Sequence, residues 1–227
     1  MKLIELDSVS LAYRGGFNPF KPNSHKAINN LSLTISEGEN IGIIGGNGAG
    51  KSTLLKILGQ IYKPDSGIIK FYKSVRSVFI GLQSGFIPYL NGVQNAELTG
   101  LLLGMSKKEI RQKLDEIIIY SELGEDISKP VFTYSAGMRA RLAFSISIFS
   151  NPDLLLLDEV MGVGDKQFRE KSNIKIKEMI AGDSAVVIVS HDLNYLTAVC
   201  EKIVHFEKGA VTQVGAAKDI IQNYLSS

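Results

Sequence analysis

The chain of 227 residues has one cysteine, a formal charge of only +2 and no polybasic block, and no apolar run of the roughly 18 residues that a bilayer span needs. Each shortage removes a class of explanation. A lone thiol, Cys200, forms no internal disulfide, so a reducing compartment fits and the residue reads as a small apolar filler on a helix. A near-balanced charge gives no electrostatic case for nucleic acid. The N-terminus places Glu5 and Asp7 where a signal peptide needs an apolar run, so the chain is expected to be soluble by itself and to reach a membrane only through a partner or a surface loop. Internal repeats and low-complexity linkers are missing as well. The length suits one large domain, or a domain with a small lobe, that buries its core without disulfides or metals.

The most informative feature present is Gly45-Gly46-Asn47-Gly48-Ala49-Gly50-Lys51-Ser52-Thr53. It fits G-x-x-x-x-G-K-[ST] and follows the apolar run Ile41 to Ile44, which reads as a buried strand. Glycines allow successive backbone N–H groups to turn toward an anion, Lys51 brings a mobile charge, and Ser52 offers a hydroxyl to Mg²⁺. The helix expected from Gly50 points the positive end of its dipole at the phosphates.

Periodicity predicts strands at 2–12, 26–35 and 39–44, a helix at 50–60, a turn at Lys63-Pro64-Asp65-Ser66-Gly67, and strands near 67–72 and 75–80. Helices follow at about 92–103, 106–119 and 136–149. The last third alternates: strand 153–157, helix 165–181, strand 185–189, helix 192–200, strands 202–206 and 210–214, helix 216–225. The pattern describes an α/β nucleotide-binding core with an antiparallel β lobe and a helical lobe inserted at roughly 86–150, all within one domain spanning 1–227.

Two further elements carry chemistry. Asp153-Leu154-Leu155-Leu156-Leu157-Asp158-Glu159 is an apolar strand ending in adjacent carboxylates. Asp158 is placed to reach a Mg²⁺ held by Ser52, while Glu159 is placed to take a proton from a water attacking a γ-phosphate. Tyr134-Ser135-Ala136-Gly137-Met138 opens an apolar helix with a Ser-x-Gly turn, a second anion-binding N-terminus.

In this order and spacing, the three elements resemble the ATP-binding cassette ATPases, over essentially the whole chain. The resemblance implies a P-loop NTPase core of that type, with ATP and Mg²⁺ as cofactors and hydrolysis of ATP as the reaction. It places Tyr13 under adenine. It makes His191 the switch histidine at the γ-phosphate, with Lys51 and Glu159 the other catalytic side chains. Asp165 falls in the loop that touches an opposite subunit, a position compatible with a helix N-cap. Gln83 is the candidate glutamine coupling Mg²⁺ to the helical lobe, one residue off the usual spacing to Phe86 and Pro88. The nucleotide would be held by Tyr13, Gly45, Asn47, Gly48, Ala49, Gly50, Lys51, Ser52, Thr53 and Gln83, with Ser135 and Gly137 closing over it from a second chain. Mg²⁺ would be held by Ser52, Asp158 and Gln83.

Departures narrow the subgroup. Tyr-Ser-Ala-Gly-Met replaces the usual Leu-Ser-Gly-Gly-Gln, and Glu159-Val160-Met161 replaces Glu-Pro-Thr. Together with Gly85-Phe86 and Leu90-Asn91-Gly92 these features look like the ATPase subunits that export lipid-linked O-antigen, capsule and teichoic acid. At this length the extra carbohydrate-binding domain of some O-antigen members is not expected. The resemblance implies a homodimer closed through ATP, lying peripherally on the cytoplasmic face of the inner membrane beneath separate transmembrane permease subunits, with Phe86, Tyr89 and Leu90 forming the groove for a permease helix. No nucleic-acid partner is expected. An importer, a lipoprotein-release ATPase or a soluble mechanoenzyme remain open as alternatives. Residues 14–26 read as an unusually long loop whose Phe17 and Phe20, among basic residues, suggest contact with lipid headgroups or a pyrophosphate-linked substrate.

Overall fold

A computed structural model describes residues 1–15, 23–80, 85–158 and 165–226. The chain divides into two compact units, one of residues 1–75, 154–159 and 183–227, the other of residues 76–153 and 160–182.

The first unit holds two sheets. In the smaller, β1 (Lys2–Gly15) pairs antiparallel with β2 (Asn23–Ser36) on one side and with β4 (Ser66–Phe71) on the other. In the larger, β6 (Leu154–Asp158), β7 (Ala185–Val189), β3 (Asn40–Ile44) and β8 (Lys202–Glu207) are parallel neighbours in that order, and β9 (Ala210–Ala216) closes one edge antiparallel to β8. β7 and the first four residues of β6 are continuous apolar runs, as strands covered on both faces are. Leu154, Leu155 and Leu156 of β6 and Ala185, Val186 and Val187 of β7 are completely buried. Truncating one of these leucines to alanine costs about 2–5 kcal/mol. Helices α1 (Lys51–Leu58), α6 (Leu193–Val199) and α7 (Ala217–Ser226) complete the unit.

The second unit contains β5 (Ser77–Ile80), α2 (Gly92–Leu102), α3 (Lys107–Ser121), α4 (Ala136–Phe149) and α5 (Lys166–Ile180). Capping boxes start α2 and α3: Asn91 with Gln94, and Ser106 with Glu109, satisfy each other's orphan backbone donors. Ile117, Leu142, Ile146 and Tyr134 pack with Ala96 and Val131 as the unit's helical core. Buried Asn95 accepts from the Ile87 N–H and donates to the carbonyls of Ile87, Leu90 and Asn91, which fixes the chain entering α2. Arg76 gathers several helix ends. Its guanidinium donates to the carbonyl of Ser150 just past α4, to that of Gly104 between α2 and α3 at 2.8 Å, and to Glu109 at 3.2 Å, while its N–H donates to Asp153 at 2.9 Å.

Between the helices expected at 106–119 and 136–149, residues 124–128 and 131–133 form short 3₁₀ turns. One sequence expectation needs correction. The loop expected at 14–26 is shorter, because β1 and β2 continue through the registered pairs Tyr13 with His25, Arg14 with Ser24 and Gly15 with Asn23. Backbone pairing overrides the turn-like composition there. Phe17 and Phe20 lie outside the described residues.

Candidate nucleotide site

β3 delivers the chain at Gly45 to the carboxyl ends of the parallel strands, the edge where open α/β sheets place their ligands. Ile43 pairs with Val189, and Val189 with Asp158, so the loop after β3, the residues after β7 and Asp158 leave the sheet at one level. Asp158 is half-buried, and His191 follows β7 in an exposed position.

The loop is fixed by its surroundings. At Gly50, φ is 107° and a Cβ would lie 2.2 Å from the Ala27 carbonyl oxygen, and at Gly45 φ is 145° and a Cβ would meet the Phe206 carbonyl at 2.0 Å. Only glycine fits either place. The Ala49 carbonyl accepts from the Gly209 N–H at 2.8 Å, and the Gly209 carbonyl accepts from the Asn29 N–H at 2.7 Å, tying the loop to β2 and to the β8–β9 hairpin. Lys51 is buried, and its Nζ donates to the carbonyls of Gly45 at 2.8 Å and Gly46 at 3.0 Å. That arrangement holds an ammonium group inside the loop's curve.

α1 begins at Gly50 with no side-chain cap and no acidic residue in its first turn. Its first N–H groups are left to an anion. A concavity of about 270 Å³ lies in front of them, lined by Tyr13, His25, Ala27 and residues 47–53. Tyr13 is placed by two contacts: its hydroxyl lies 3.0 Å from the Thr53 Oγ1, and its ring meets Tyr62 edge-on at 6.0 Å between centroids. Sequence reasoning did not find the tie to Thr53, nor His25 and Ala27 as lining residues. No motif marks them, and only the register of β1 with β2 brings them to the loop.

In the second unit, Ser135 caps α4, its Oγ accepting from the Met138 N–H at 3.1 Å. Ser135 and Gly137 are both exposed. Below them, buried Tyr134 donates its hydroxyl to the Asp126 carbonyl at 2.8 Å, and burial raises its pKa. Asp165 caps α5 by accepting from the Phe168 N–H at 3.0 Å and faces Arg141 at 3.6 Å. Cys200 ends α6 as a buried thiol, with burial pushing its pKa up to about 12, consistent with its reading as apolar filler. Glu159 and Gln83 lie outside the described residues.

Among the described residues no group of three or more His, Cys, Asp or Glu could cage a metal ion. An exposed serine hydroxyl and one half-buried carboxylate suit Mg²⁺, which keeps waters and is completed by substrate phosphates.

Such a fold and loop define a P-loop nucleotide-binding cassette. The family model described as ABC transporter matches residues 28–162, and the chain belongs to that family. It is 40% identical over 198 residues to the O-antigen export system ATP-binding protein RfbB of Myxococcus xanthus, covering 87% of this chain and 45% of the relative. It is 41% identical to the teichoic acids export ATP-binding protein TagH of Staphylococcus epidermidis, covering 90% of this chain and 76% of the relative. Against the RfbB of Klebsiella pneumoniae it is 38% identical, covering 92% and 84%. The chain thus spans less than half of the Myxococcus relative and most of the other two. Among solved structures, the dimeric post-hydrolysis state of the ATP-binding cassette MJ0796 bound to ADP and Pi superposes with a TM-score of 0.73 at 26% identity, covering 95% of this chain and 99% of that one.

Proposed function

We propose that this chain is the ATP-hydrolysing subunit of an exporter of lipid-linked bacterial surface polysaccharide, working peripherally on the cytoplasmic face of the inner membrane. The observation that carries this reading is the loop whose backbone, buried lysine and uncapped helix all turn toward one concavity, in a chain whose relatives are named for O-antigen and teichoic acid export.

In this reading the adenine rests on Tyr13, and the phosphates lie among the N–H groups of Gly45, Asn47, Gly48, Ala49, Gly50, Lys51, Ser52 and Thr53. Lys51 neutralises phosphate charge. Ser52 and Asp158, with Gln83, would hold Mg²⁺, which would supply positive charge to the phosphate oxygens. Glu159 takes the proton of the attacking water, and His191 positions the γ-phosphate end. Ser135 and Gly137 of a second copy close the site, so a homodimer is the working unit. The helical lobe meets a separate permease through an exposed aromatic pair, Tyr89 and Phe132, whose rings lie 6.1 Å apart, beside Phe86 and Leu90.

The test is Glu159→Gln. It keeps shape and hydrogen bonding but removes the proton acceptor, so turnover should fall about 10²–10⁴-fold while size measurement with ATP and Mg²⁺ shows a persistent dimer. Turnover at the wild-type rate would refute the assignment. Isolation from cells with no transmembrane protein attached would remove the exporter half of the reading and leave the ATPase half standing.

A further inference from the structure

Among the described residues lining the concavity in front of the phosphate loop, two side chains can carry positive charge, Lys51 and His25. Lys51 is expected from the loop motif. His25 belongs to no motif, and its position follows from strand register alone.

Tyr13 and His25 are Cα partners in the antiparallel pair of β1 and β2, so their side chains stand next to each other on one face of the sheet. Two residues further along β2, Ala27 reaches the phosphate loop itself, its carbonyl filling the space where a Cβ on Gly50 would go. The pairing with β1 shifts register between Lys26 and Ile28, with Ala27 as the extra residue, and His25 and Ala27 both line the concavity. His25 is thus flanked across the pair by the ring that would carry a base and along its own strand by the residue at the turn that would carry phosphates, so a nucleotide spanning the two passes it with its sugar and first phosphate.

We propose that His25 is a nucleotide-binding residue that contacts the phosphate nearest the sugar and makes nucleotide affinity rise as pH falls. The proposal rests on the nucleotide reading of the loop and adds a residue and a pH response to it. Histidine is the side chain whose ordinary pKa, about 6.5, lets it change charge near neutrality. A phosphate beside it favours the imidazolium, so the complex holds the proton more tightly than the free protein does. By linkage, binding strengthens as pH drops through that range. The other titratable groups lining the concavity are Lys51, from the loop and α1, and Tyr13, from β1. Among the described residues, no carboxylate lines the concavity. Lysine and tyrosine side chains ordinarily change charge well above neutrality. The exposure of His25 to solvent screens the contact and sets a modest effect.

The experiment compares the wild-type chain with His25→Gln, which keeps hydrogen bonding without the charge. Dissociation constants for Mg²⁺-ATP, AMP and adenosine are measured by calorimetry at pH 6.0 and pH 8.0. Taking the ratio of variant to wild type at each pH cancels the titration of the ligand's own phosphates. For ATP and AMP the ratio should be about fivefold at pH 6.0 and under twofold at pH 8.0, and for adenosine it should stay near one at both. His25→Lys should bind ATP with an affinity that no longer varies between the two pH values beyond the ligand's own titration. A ratio that is the same at both pH values, or the same for adenosine as for ATP, overturns the proposal and makes His25 a structural strand residue. Lys51→Ala separates the two levels of the argument. If the wild type binds ATP and Lys51→Ala does not, the loop reading stands whatever His25 does; if wild type and Lys51→Ala are alike, the loop reading itself falls.

Discussion

The turn before α1 and the turn before α4 each open a helix, yet they are built in opposite ways. At the first, the β8–β9 hairpin bonds Ala49, the buried Lys51 bonds the Gly45 carbonyl, and the β2 backbone leaves no room for an added Cβ at Gly50. At the second, Ser135 and Gly137 are exposed, and the turn is held by its own cap and by Tyr134 beneath it. A Cβ on Gly137 would meet only the Ser135 Oγ, at 3.8 Å. The first turn is fixed by its own chain, whereas the second presents an exposed surface. Under the proposed function, one nucleotide shared between two copies would account for both designs.

Substituting the two glycines breaks the comparison most sharply. Gly50→Ala should cost about 2–4 kcal/mol of stability, because the new methyl must displace the Ala27 backbone while φ is positive, and ATP binding should be lost with it. Gly137→Ala lies in a helix with room around it and should raise stability by up to about 1 kcal/mol. If it lowers hydrolysis all the same, the open turn works on a ligand; denaturant melts and ATPase rates decide. A melt in which the two variants shift equally would remove the contrast.

A second measurement sharpens the contrast between copies. Mixing Lys51→Ala and Ser135→Arg chains yields heterodimers with one doubly defective and one intact site. Such mixtures should recover ATPase activity that neither variant shows alone. A specific activity unchanged by dilution to low concentration would sink the shared site.

The smallest effect concerns the second unit's own scaffold. Glu109 is held at about 2, below the ordinary value of 4.5, first by the Ser106 backbone N–H, then by the Ser106 side chain and Arg76. A carboxylate with a depressed pKa contributes stability that is complete above its ordinary range and lost as pH falls from about 4.5 toward 2. The difference in melting temperature between wild type and Glu109→Gln should therefore narrow as pH is lowered from 6 to 3. A gap that stays constant would assign the difference to shape alone.

Much of the frame was legible because its signals are local. β6 and β7 are unbroken apolar runs, the phosphate loop is a contiguous motif, and Ser106 with Glu109 advertises the start of α3 three residues apart. What escaped the sequence depends on residues far apart in the chain. Nothing near Tyr13 announces Thr53, forty positions away. The ends of β1 and β2 read as loop because glycine and asparagine favour turns, and pairing between the strands outweighs that preference. His25 became a lining residue only through that same register. Asp165 was readable as a cap, but its approach to Arg141 was not.

Arg76 has a mechanical consequence. One planar cation bonds the residue just past α4, the connection between α2 and α3, and the first turn of α3, contacts that a lysine's single ammonium could not make together. These three segments are thereby tied to one side chain, so moving any of them away from the others breaks a hydrogen bond to the same guanidinium.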